Sequence, residues 1–146
     1  MNGSGAVRHR DRPGPARRCL RSVTAARLAV YVSASVHVLD PDYFGLAPVQ
    51  AIKRALAKAG KRFDDLSVLE LNEAFAAPVL DCVAEWPEFD PAILNPQGGA
   101  IALGHPLGAS GARLAGTIAH QLARRGSGVG VATLCIGVGQ GLVLER

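Results

Sequence analysis

The sequence predicts an α/β domain: a mixed, mainly parallel sheet with helices on its faces, one of them rich in glycine and alanine and sandwiched between layers. Three observations carry this. Strand-like and helix-like patterns alternate along residues 27–146. Asn72, Asn95 and Cys135 fall at the ends of predicted strands, where ligands of such sheets gather. The pattern over Pro106–Arg125 has a helical stripe of Leu114, Ala115, Ile118, Ala119 and Leu122, but its first turns are small: Gly108, Ala109, Ser110, Gly111, Ala112, then Gly116. A glycine costs about 1 kcal/mol in a helix interior, so several imply close packing on more than one side.

The elements follow in order. Residues 1–26 are rich in Arg, Pro and Gly without apolar periodicity and read as a disordered extension ahead of a folded domain at 27–146. Arg27 to Leu39 reads as a strand, with Leu28, Val30, Val32, Val36 and Val38 in period-two alternation broken at Ala34. Tyr43–Pro48 is a loop. Val49, Ile52, Leu56 and Ala59 then make a helical stripe ended by Gly60. Ser67 to Asn72 is a short strand, Glu73 to Trp86 a helix stopped by Pro87, and Ala92 to Asn95 a brief strand. The helix over 106–125 stops at Gly126, Val129 to Cys135 is a strand, and Gly141 to Glu145 is the last, antiparallel to its predecessor.

Composition narrows the function classes. The chain of 146 residues has the size of one domain. Its net charge of +4 is misleading unless divided: residues 1–27 carry seven arginines against Asp11, and the remainder is mildly acidic. A nucleic-acid reader needs a basic face on a folded module, which the folded part lacks. Cysteines at 19, 82 and 135 form no CxxC pair, disulfide framework or zinc site. No apolar run has the length of a membrane span. The default expectation is a reduced, cytoplasmic setting without metal, nucleic acid or membrane.

The chemistry concentrates in three stretches. Asn95-Pro-Gln-Gly-Gly-Ala-Ile-Ala-Leu-Gly-His105-Pro106-Leu-Gly-Ala-Ser-Gly-Ala-Arg113 holds one imidazole on a stiff, tightly turned backbone formed by Gly98, Gly99, Gly104, Pro106 and Gly108. Such an imidazole titrates near neutral pH and suits a general base. Upstream lies Asn72-Glu-Ala-Phe-Ala76, and downstream Cys135-Ile-Gly137-Val-Gly139-Gln-Gly141. Each has a bland reading: a helix N-cap for Asn72, a core hydrogen bond for His105, a small buried thiol beside a hairpin for Cys135. Cys82 and Trp86 read as packed core residues and His120 as a surface or interface residue, while His37 matches no motif.

Together, in this order, the three stretches closely resemble the C-terminal domain of thiolases, over about residues 27 to 146. The resemblance implies a thiolase-like half-fold and acyl transfer between CoA thioesters: thiolysis of 3-oxoacyl-CoA by CoA, or the reverse condensation. It makes His105 the base that activates a nucleophilic cysteine. Asn72 holds a water beside it, and Cys135 is the acid/base. The Gly137 N–H becomes an oxyanion-hole donor, with Gly139 shaping the turn. It implies coenzyme A as substrate rather than a cofactor, and a family habit of homo-oligomerisation. Thiolases attack with a cysteine of their N-terminal half. Cys19, in an arginine-rich tail, is reactive by its charge environment but not held in a near-attack geometry. The chain is therefore expected to work with a separate N-terminal half, and alone to be inactive or very weak. The alternative is a non-catalytic remnant or acyl-CoA-binding module of the same fold. The Asn-Pro-Gln-Gly-Gly variant looks more like degradative than biosynthetic thiolases; the acyl chain stays open.

Overall fold

The computed structural model describes residues 27–87 and 89–146. The expected extension at 1–26, with Cys19, lies outside them. The order is strand β1 (Val30–His37), helix α1 (Ala47–Ala59), strand β2 (Leu66–Leu71), helix α2 (Ala76–Ala84), a single-turn helix α3 (Ala100–Leu103), helix α4 (Ser110–Arg125), strand β3 (Val129–Cys135) and strand β4 (Gly139–Glu145). Short 3-10 turns at Pro41–Leu46, Phe63–Asp65 and Pro91–Ile93 join them.

The four strands form one open sheet in the order β1-β4-β3-β2. The α/β class stands, but the sheet is not mainly parallel: β2 and β3 pair in parallel, while β3–β4 and β1–β4 are antiparallel. The reason is positional. β1, β2 and β3 point the same way, as alternating strands and helices require, and only β4 is reversed. The hairpin at Cys135–Gly139 slots β4 between β3 and β1, so one reversed strand changes two pairings.

Helices cover both faces. α1 and α2 pack on one, where Ile52, Leu56, Leu69, Leu71, Val131, Val143 and Trp86 share a core. Trp86 packs there tilted against Phe63 and edge-on to Phe89. On the other face Leu114, Ile118 and Leu122 of α4 meet Val68, Ala132 and Leu144. α1 and α4 end on Gly60 and Gly126 in the left-handed region, as expected.

Several boundaries moved. The helix expected from 106 begins at Ser110, because residues 106–109 form a turn in which the Pro106 carbonyl accepts from the Ala109 and Ser110 N–H groups. The helix expected from Glu73 begins at Ala76 behind an extended Phe75, so Asn72 is no N-cap. The strand expected at 92–95 is a 3-10 turn followed by a lone parallel bridge from Leu94 to Leu69.

Two departures concern layers. In β1 the serines face inward: Ser33 and Ser35 are buried and donate to the carbonyls of Ala55 and Ala51 on α1, at 2.6 and 2.7 Å. A register shift between Tyr31 and Ser33 accompanies this, and Val30, Val36 and Val38 are exposed instead. α4, for its part, is packed by the sheet on one side only. Gly111 and Ala112 are exposed, and a Cβ at Gly111 or Gly116 would meet nothing within 4 Å. The second cover expected from its glycines is not supplied by the described residues. A cavity of about 390 Å³ lined by Ala34, Val36, Gly111, Leu134 and Leu142 marks the gap between β1 and α4.

Candidate active site

Asn72 leaves β2 with its backbone still on the ladder, its N–H donating to the Thr133 carbonyl of β3 at 2.9 Å. It is buried, and its Nδ2 lies 3.3 Å from His105 Nε2. On the far side of the ring, His105 Nδ1 is 2.6 Å from Ser110 Oγ, and that hydroxyl donates to the Pro106 carbonyl at 3.1 Å. A hydroxyl has one proton. With it committed to Pro106, Ser110 accepts from Nδ1–H. Nε2 then carries the lone pair and receives the Asn72 amide. This assigns the ring from the network, with Nδ1 toward Ser110 and Nε2 beside the Asn72 amide.

The loop carrying His105 is latched to the sheet by Asn95, read from sequence only as a strand end, and by Glu73, to which the sequence reading gave no role. Asn95, with φ of 43°, pairs its side chain with the Leu71 main chain: Oδ1 accepts from the N–H and Nδ2 donates to the carbonyl, both at 2.9 Å. It acts as an extra ladder residue beside β2. Glu73 accepts from Asn95 Nδ2 at 2.8 Å and from the Ile101 N–H at 3.0 Å, at the start of α3. That carboxylate fills the space over Gly99, where a Cβ would overlap it. Gly98 and Gly104 take positive φ on either side, and Gly108 stands in open space.

Cys135 ends β3, half-buried, and its Sγ donates to the Phe44 carbonyl at 3.2 Å. Gly137 turns the hairpin with φ of 81°. Gly139 lies so close to α1 that a Cβ there would overlap the Ala47 backbone. Cys135 and Asn72 line one small cleft of about 30 Å³ with Phe44, Leu71 and Phe75. Cys82 lines it too, donating to the Gly45 carbonyl at 3.2 Å. Burial, reinforced by Asp81, Cys135 and Glu85, pushes the Cys82 thiol up to about 12. It is a packed thiol, as expected.

The structure thus joins Asn72 to His105 by a hydrogen bond and to Cys135 by a shared cleft. The apolar side chains of Tyr43, Phe75, Leu107 and Ile136, and of Ile101 and Leu103 on α3, are exposed in the segments that carry and adjoin these motifs. A larger cavity of about 420 Å³, between Lys53, Lys61, Phe63 and Trp86, lies at the opposite end and holds no motif residue. Among the described residues no group of three His, Cys, Asp or Glu could hold a metal ion, and no helix is long and apolar enough to cross a membrane.

A mixed α/β half-sheet with an Asn–His pair and a strand-end cysteine at its carboxyl edge defines a class, and comparison bears it out. The family model described as Thiolase, C-terminal domain matches residues 24–145, and the chain belongs to that family. It is 50% identical over 118 residues to a 3-ketoacyl-CoA thiolase of Aliivibrio salmonicida, covering 78% of this chain and 30% of that protein. It is 51% identical over 119 residues to an acetyl-CoA acetyltransferase of Pseudomonas aeruginosa, covering 82% and 29%. The structure superimposes on the crystal structure of human mitochondrial 3-ketoacyl-CoA thiolase with a TM-score of 0.77 at 39% identity, covering 88% of this chain and 33% of that one. The chain spans under a third of the length of these relatives.

Proposed function

We propose that this domain supplies the base, the acid/base and the oxyanion donors of a thiolase-type acyl transfer on 3-oxoacyl-CoA thioesters, with the nucleophilic cysteine coming from an N-terminal thiolase half. The observation that supports the reading is the Ser110–His105–Asn72 chain of hydrogen bonds, which sets Nε2 beside Asn72.

In the thiolysis direction the nucleophile's S–H proton passes to His105 Nε2. The thiolate attacks the 3-oxo carbon, an S–C bond forms and the C2–C3 bond breaks. The released electron pair becomes the enolate of acetyl-CoA, whose oxygen is met by His105 and a water held by Asn72. Cys135 donates its proton to the carbanion carbon, then recovers one from the incoming CoA thiol as that thiol attacks the acyl-enzyme. The new thioester leaves, and His105 returns its proton to the departing nucleophile thiolate, so the enzyme thiol is restored. The Gly137 N–H serves the acyl oxygen. No cofactor is needed, since CoA is substrate. The exposed apolar residues around the cleft suit an acyl chain or a packed second half, and the acyl specificity belongs with parts outside this domain.

The test is thiolysis of acetoacetyl-CoA by CoA, with the chain alone and mixed with an N-terminal thiolase half bearing its cysteine. Turnover is expected in the mixture and lost with His105→Ala or Cys135→Ala, and none above the His105→Ala control for the chain alone. A mixture that forms a complex and binds CoA yet shows no turnover would overturn the catalytic reading in favour of a binding module.

A further inference from the structure

Beneath the Asn72–His105 pair lies a set of buried polar atoms that the catalytic reading does not use. Glu70 lies on β2 and Asn72 directly after its end, so by alternation the two share the side of Val68, which packs on α4. Glu70 is wholly buried. Its Oε1 accepts from Gln121 Nε2 of α4 at 2.8 Å, while Oε2 has no partner among the described residues. Asn72 Oδ1 is likewise buried and unpartnered, as are Nε and Nη2 of Arg113. Arg113 sits one helical turn beyond Ser110 on α4, and burial pushes the Glu70 carboxyl above its usual range against the lowering pull of its Gln121 bond and of the Arg113 charge. Two acceptors and two donor nitrogens, all out of contact with water, therefore share one strand–helix interface. Leaving such a group unmet is costly.

The arrangement bears on the orientation of one amide. Asn72 presents Nδ2 to His105 in one orientation and Oδ1 in the other, and the two have nearly the same shape. Because Ser110 fixes the proton on Nδ1, only the Nδ2 orientation is attractive. Nothing else among the described residues is bonded to Oδ1.

We propose that Arg113 is a positioning residue for the site: its free N–H groups serve Asn72 Oδ1 through an ordered water, while the buried Glu70 carboxyl, itself bonded to Gln121, faces its guanidinium. The proposal rests on reading Asn72 and His105 as a working pair and adds what orients them. Arginine suits the place because its rigid fork serves two acceptors at once, which a lysine ammonium does not reproduce.

The experiment is proton–nitrogen NMR of the His105 ring in the full chain, which needs no turnover. Asn72→Ala supplies the reference for an Nε2 without its amide donor. Arg113→Gln is expected to move the Nε2 resonance most of the way to that reference, and Arg113→Lys and Glu70→Gln part of the way, with Nδ1 still bonded to Ser110. The positioning role is overturned if Arg113→Lys and Glu70→Gln fold and leave the ring at its wild-type resonances, whatever they do to thermal stability, even if Arg113→Gln does not fold. Should Asn72→Ala itself leave the ring unmoved, the Asn72–His105 contact fails, and the proposed catalytic pair with it. That outcome differs from a failure of Arg113 alone.

Discussion

Ser110 Oγ stands 2.6 Å from His105 Nδ1 and spends its own proton on the carbonyl of Pro106. One hydroxyl at the start of α4 thus decides which ring nitrogen is basic. Ser110→Ala keeps the helix but removes that decision. In the reconstituted thiolysis assay kcat is expected to fall on the order of ten- to a hundred-fold, below the roughly 10²–10⁴ that general acid–base catalysis contributes as a whole. A wild-type rate would show that the tautomer needs no such guard.

Gly99 and Glu73 form a latch that a single methyl group would spoil. A Cβ at position 99 overlaps the Glu73 carboxylate, which is itself bonded to Asn95 and Ile101. Gly99→Ala is expected to destabilise the fold by about 1–3 kcal/mol, the range for overpacking, in urea unfolding. Combined with Glu73→Ala its cost should shrink, since the two residues are in contact. Additive costs would count against the latch.

Cys82 predicts a pH dependence. Its thiol is raised from a reference of 9.0 to about 12, first by burial. A group raised on folding contributes stability in full below its unfolded value, and that stability is lost as pH climbs through the folded value. Between about pH 9 and 12 the stability of the wild-type chain should therefore fall by up to about 1.4 kcal/mol per unit through this group, and Cys82→Ala should flatten the slope. Denaturant titrations across that window read the difference.

The same burial orders thiol reactivity. The thiolate is the nucleophile, so iodoacetamide at mildly alkaline pH should label half-buried Cys135 and spare Cys82. Peptide mapping by mass spectrometry checks it, and equal labelling would mean that the α1–α2 layer opens readily.

How much of this could be read from the chain depends on where each interaction is local. The glycine caps at 60 and 126 were legible because a left-handed residue after an apolar stripe is a local event. The convergence of Asn72, His105 and Cys135 was legible through three ordered motifs. Ser110 was hidden among small residues and read as packing, although its hydroxyl five residues from the imidazole was a usable signal. Glu73 and Asn95 act across 22 residues through side-chain contacts with no pattern in sequence. The four residues of α3, between Gly98–Gly99 and Gly104, are too few for any periodicity to show. The sheet's parallel balance failed for one cause, since where β4 inserts is a long-range matter. The inward serines of β1 could not be foreseen either, because their partners are carbonyls of a helix met only after folding.

That inverted strand has a consequence for how the molecule behaves in company. Among the described residues β1 forms one edge of the sheet, so apart from the Ala34 carbonyl, which accepts from Lys58 Nζ, its outer main-chain groups face sideways without a strand partner, and its valines face outward. A water-facing ribbon of this kind is adhesive in two directions at once. A single lysine in place of Val36 should do more to keep concentrated solutions clear than any improvement within the packed layers.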